Sequence, residues 1–76
     1  MNAESLGDAL FIMKRYEEAA DAYTIAIQKQ PANGELWGKR AEIYVVTDHL
    51  YHAFNDSKKA YSLRRKIFKD YQSDFK

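Results

Sequence analysis

The chain has 76 residues, 46% hydrophobic and 30% charged, a balance that fits one small globular domain and excludes global disorder. It contains no cysteine, which excludes disulfides, thiolate metal sites and thiol nucleophiles and fits a reducing, cytoplasmic setting. Net charge is +1, with three bases against five acids in residues 1–34 and nine against six in residues 35–76, too mild an asymmetry for a nucleic-acid surface.

The Met-Asn-Ala-Glu start lacks a basic segment followed by an apolar one, so no signal peptide is expected. No apolar run approaches the roughly 20 residues of a membrane span. From there the pattern is helical. Leu6, Leu10 and Met13 mark one apolar face and predict a helix over about 2–14. After the polar interruption at Lys14-Arg15, Tyr16, Ala19, Tyr23, Ala26 and Ile27 mark a second, over about 17–29. Pro31 and Asn33-Gly34 form the strong break. Trp37, Ala41, Tyr44 and Val45 mark a third face, Thr47-Asp48 offers a cap and turn, and a fourth helix begins near His49. No Gly or Pro follows Gly38, so this last helix is expected to continue past Arg65, to about Lys69–Gln72 or beyond.

The chain repeats itself. A shift of 34 residues places Gly7 on Ala41, Leu10 on Tyr44, Tyr16 on Leu50, Ala19 on Ala53 and Ala26 on Ala60. Small residues recur where helices approach closely, and large ones where they fill the space between hairpins. The first hairpin reads Gly7-Asp8, Tyr16-Glu17-Glu18-Ala19, Tyr23-Thr24-Ile25-Ala26-Ile27 and Pro31; the second reads Trp37, Lys39-Arg40-Ala41, Tyr44, Ala53, Asp56 and Ala60. Both resemble the tetratricopeptide repeat, whose period is 34 residues. The Tyr-Thr-x-Ala-Ile segment and the Arg40-Ala41 pair with Asp56 are similar to repeats of chaperone cofactors. The resemblance implies an all-α fold: two helical hairpins, a right-handed α-solenoid fragment, with an extended last helix. The repeats fall at about 1–33 and 34–66, with an extension over 67–76. It also implies a protein-binding scaffold or adaptor, with no catalysis and no cofactor. Ser57 and Arg65 depart from the pattern, standing where the first hairpin has Tyr23 and Pro31.

In chaperone cofactors a clamp of basic and amide side chains holds a partner's C-terminal carboxylate. By resemblance its lysine falls on Glu4, its first asparagine on Asp8 and its second on Lys39. Two of those three positions are acids, which repel an anion, and only Lys39 suits one. The first and third helices line the concave face of such arrays. The resemblance therefore gathers Glu4, Asp8, Phe11 and Ile12 with Lys39, Glu42, Val45 and Val46, either as a groove for a peptide carrying basic and apolar groups or as an ordinary solvated face.

Trp37 is expected to be buried between the hairpins beside Ala19 and Ala26, and Arg40 to pair with Asp56 in a structural bridge worth little if exposed. His49 and His52, with Asp48 and Asp56, sketch a metal edge, but surface imidazoles are commoner and no metal is expected. Glu17 and Glu18 diverge on a helix and cannot act on one substrate atom. Lys58, Lys59, Arg64, Arg65, Lys66 and Lys69 read as the wet face of a long helix, rather than a surface for nucleic acid or membrane. Leu50, Phe54, Ser57, Tyr61, Arg64, Phe68, Tyr71 and Phe75 are spaced by fours and threes, a seam of coiled-coil period. It suggests a rival role, homodimerisation through the last helix, with Phe68, Tyr71 and Phe75 as self-association residues.

Overall fold

The computed structural model describes residues 2–73, and the side chains of residues 2–66. It is all-α: α1 (Ala3–Ile12), α2 (Tyr16–Lys29), α3 (Gly34–Val46) and α4 (Leu50–Ser73) follow one another, each packed on the next. Asn2 caps α1, its Oδ1 accepting from the Ser5 N–H at 2.8 Å, and Asn33 caps α3 by accepting from Glu35 N–H at 3.2 Å. Glu17 and Glu18 open α2 and Lys29 closes it, so the charges oppose the helix dipole.

The two short turns repeat in the backbone. Lys14 and Asp48 are the described non-glycine residues with positive φ, at 63° and 64°. Around them the same bonds form: Lys14 N–H to Phe11 O at 3.0 Å and Arg15 N–H to Leu10 O at 2.9 Å, then Asp48 N–H to Val45 O at 3.1 Å and His49 N–H to Tyr44 O at 2.7 Å. Each pair is related by the 34-residue shift. Asp48 tolerates the left-handed region through its short polar side chain, whereas Lys14 bears the ordinary steric cost. Thr47 does not cap α4. It is the C-cap of α3, and its hydroxyl donates back to Ile43 O at 2.9 Å, because the left-handed Asp48 turns the chain after it.

Alanines on α2 make the core possible. Ala19, Ala20 and Ala22 lie with Leu10, Tyr23 and Ile43 in one buried cluster, and Ala26 and Ile27 lie with Leu36 in a second. Small side chains there let α1 and α3 approach α2 closely. Leu36 and Ile43, both 1% exposed, are the two plugs that lock α3 onto α2.

Trp37 is not the plug between the hairpins. It is half-buried at the edge of the second cluster, its Nε1–H donating to Pro31 O at 2.9 Å. Leu36, one residue earlier, fills the gap. The larger indole sits where it can keep a polar partner.

The fourth helix spans 24 residues against 14 for α2, and continues unbroken to Ser73. The side chains of Phe68 and Tyr71, and all of Phe75, lie outside the described residues. Earlier on the same seam, Leu50, Phe54 and Tyr61 are 60–66% exposed. No described helix is long and apolar enough to cross a membrane.

Candidate functional site

The site grows from Lys39. Its position on α3 aims the side chain at α1, where Nζ donates to Glu4 Oε2 at 2.9 Å and to Asp8 at 3.1 and 3.3 Å. Glu35, one turn back on α3, stands 3.7 Å away. Asp8 also accepts from the Tyr23 hydroxyl on α2. Three helices therefore meet at one carboxylate.

The hydrogen bond from Tyr23 holds the Asp8 carboxyl below its ordinary value, and Lys39 adds to the effect against the opposing cost of burial. Burial pushes the Tyr23 phenol up, and the bond to Asp8 pushes it further. For Lys39, burial disfavours the charged form, but the bonds to Glu4 and Asp8 outweigh it and the pKa rises. The cluster is a salt network with an acidic excess, three carboxylates around one ammonium. Lys39, the position suited to an anion in sequence terms, is already held by two carboxylates and is not free to receive one.

Beside this network Asp8, Phe11, Ile12, Tyr23, Lys39 and Glu42 line an open cavity of about 380 Å³ between α1 and α3. Five of the eight concave-face residues expected from sequence meet here. Glu4 instead faces a smaller recess of about 80 Å³ with Ala26 and Leu36, while Val45 and Val46 lie outside the cavity, 57% and 50% exposed. Ile12 is 79% exposed on its rim. Sequence reasoning missed Tyr23, taken there only as a packing residue. The signal was Gly7: an added Cβ would meet the Tyr23 ring at 2.6 Å, so the absent side chain makes room for that ring to reach Asp8.

On the other side of α3, Arg40 grips Asp56 on α4 through two parallel bonds, Nε to Oδ2 at 2.6 Å and a terminal nitrogen to Oδ1 at 2.8 Å. Its remaining nitrogen donates to Thr24 on α2 at 3.0 Å. The Asp56 side chain is 6% exposed and that of Arg40 15%, so the pair is a buried bridge rather than a surface one. The Arg40 guanidinium also lies 5.2 Å from the Trp37 ring centroid. With both Asp56 oxygens on Arg40, the His52/Asp56 edge has lost its carboxylate. The His49 ring packs 6.1 Å from Tyr44 and its Nδ1 faces the Thr47 hydroxyl at 2.8 Å.

The chain is similar to short stretches of longer proteins. No family model matches it, and no solved structure does. It is 35% identical over 68 residues to the protein SGT1 homolog of Oryza sativa subsp. japonica, covering 90% of this chain and 18% of that protein. It is 32% identical to U-box domain-containing protein 70 of the same organism, covering 86% of this chain and 8% of that one. Human serine/threonine-protein phosphatase 5 is 34% identical over 61 residues, 80% of this chain and 12% of that protein. The chain thus spans less than a fifth of the length of each relative.

Proposed function

We propose that this chain is a non-catalytic, cytoplasmic protein-interaction module of tetratricopeptide type. Its concave face, between α1 and α3, takes a peptide segment bearing basic and apolar groups. The observation that carries this reading is the acidic excess around Lys39, set against the Phe11 and Ile12 wall of the cavity. A cationic side chain gains Coulomb energy there, and an aliphatic neighbour gains apolar cover. The similarity supports a transferable unit: the same short stretch aligns with a U-box protein and with a small part of a phosphatase, proteins with different names. The role of adaptor in a chaperone complex rests on the resemblance of the repeats.

Titration calorimetry with two peptides tests the proposal: one alternating lysine and leucine, one ending in acidic residues and a free carboxylate. The basic peptide should bind and the acidic one should not. Glu4→Lys with Asp8→Asn should reverse that order by releasing Lys39 to an anion. Tight binding of the acidic peptide by the unmodified chain would overturn the reading.

A further inference from the structure

The 34-residue register makes the molecule its own template. Wherever α2 is buried by α3, the residue 34 positions later on α4 shows what the second hairpin offers at the equivalent place. Ala20, Tyr23 and Ile27 are 9%, 3% and 6% exposed. Their counterparts Phe54, Ser57 and Tyr61 are all exposed, Phe54 at 63% and Tyr61 at 66%. The large and small residues exchange places between Ala20/Tyr23 and Phe54/Ser57, so apolar bulk survives while its contour moves by one turn. Exposed apolar bulk in this register is what a packed helix covers on α2.

The template also says what the partner presents. Across α2, α3 brings Leu36 into the cluster of Ala26 and Ile27, Ile43 into the cluster that holds Ala20 and Tyr23, and between them Arg40 to Thr24. On α4 the place of Thr24 is taken by Lys58, whose Nζ lies 5.8 Å from the Phe54 ring, and Arg64 and Arg65 follow one to two turns on. A base in the Arg40 position would meet Lys58 head on, and an acid would pair with it.

We propose that α4 docks an amphipathic helix of a partner protein, with aliphatic residues seven apart and a Glu or Asp four residues after the first. Charge argues against a second copy of this chain. An α4-to-α4 contact would set Lys58, Arg64 and Arg65 against the same bases, and none of the chain's own helices carries aliphatic residues so spaced around an acid. This face is distinct from the concave groove, so the two readings stand or fall separately.

The test uses peptides made from the molecule's own plug: residues 33–47 with R40E, and the same peptide unmodified. Calorimetry on the full chain should find the R40E peptide binding one to one, roughly tenfold tighter than its parent. K58E in the chain should invert that preference, and F54S with Y61S should abolish binding of both peptides. The last two residues are exposed, so circular dichroism should show an unchanged melt for that variant. Equal binding of the two peptides, binding that survives F54S with Y61S, or a self-dimer on sedimentation that K58E leaves intact while no peptide binds, would each overturn the proposal.

Discussion

Lys39 and Arg40 are neighbours on α3, both cationic, both bound to carboxylates on another helix, and they do opposite work. Lys39 reaches α1 across a groove, with 28% of its side chain exposed against 33% and 44% for Glu4 and Asp8. Arg40 reaches α4 inside the domain, against an Asp56 side chain that is 6% exposed. One residue of helix rotation separates an adjustable surface network from a fixed internal fork. In water a pair like the first is worth little, because solvent screens it and competes for each group. Removing half of a pair like the second strands a charge where water cannot reach it.

The comparison breaks most readily at Asp56. Replacing it with alanine should cost roughly 3–5 kcal/mol, the usual penalty for leaving one partner of a buried pair alone. Small domains hold only about 5–15 kcal/mol in all, so the variant should unfold at much lower urea or not fold. Arg40→Leu with Asp56→Leu should recover part of the loss, since the penalty belongs to the unpaired charge. A D56A chain with the parent's urea midpoint would mean the fork contributes nothing.

A smaller effect is expected on the groove side, at Gly7. An alanine Cβ would lie 2.6–2.9 Å from three atoms of the Tyr23 ring, which its bond to Asp8 keeps from swinging away. Overpacking of this kind costs roughly 1–3 kcal/mol. The second hairpin supplies the control: Ala41 stands in the place of Gly7, and Ser57 in the place of Tyr23. Glycine goes with tyrosine and alanine with serine. Gly7→Ala with Tyr23→Ser should therefore be less destabilised than the sum of the single changes, a coupling that a double-mutant cycle in urea would read directly. Additive losses would refute the pairing.

That linkage marks where the sequence stopped being legible. Helix order, the 34-residue register and the helical face of each segment follow from local periodicity and punctuation, which need no tertiary knowledge. The Gly7/Ala41 and Tyr23/Ser57 departures were equally visible, but their connection lies across two helices. Trp37 was overrated because size was read as burial, when an indole N–H needs a partner and Leu36 does not. The Arg40–Asp56 pair was foreseen as a pair but not as a buried one, since exposure depends on α2 and α4 closing over it. In the site, the gathering of α1 and α3 residues came from family resemblance. The capture of Lys39 by Glu4 and Asp8 is a matter of a few ångströms and has no signature in spacing.

The smallest effect belongs to Lys39 itself, and pH is the way to see it. Lys39→Met should change stability by about 1 kcal/mol or less at neutral pH, as exposed pairs do. The shifts have definite signs. Asp8 is depressed in the folded chain, so its contribution is present above the ordinary value of 3.8 and fades as pH falls through its lower folded value. Lys39 and Tyr23 are raised, so theirs are present below the ordinary values of 10.5 and 10.0 and are lost as pH climbs towards the higher folded ones. Urea midpoints measured from neutral pH upwards should therefore fall beyond about pH 10 in the parent. The fall should be shallower in K39M, which lacks the ammonium that deprotonates, and should keep only the part that Tyr23 supplies. Asp8→Asn should remove the acid-side contribution, which is its own, and make the alkaline fall shallower, because Asp8 supplies part of the shift of both Tyr23 and Lys39 while burial and Glu4 supply the rest. If K39M and the parent lose stability in parallel above pH 10, the network around Lys39 is too well solvated to count, and the groove's acidic excess is left to act on a ligand alone.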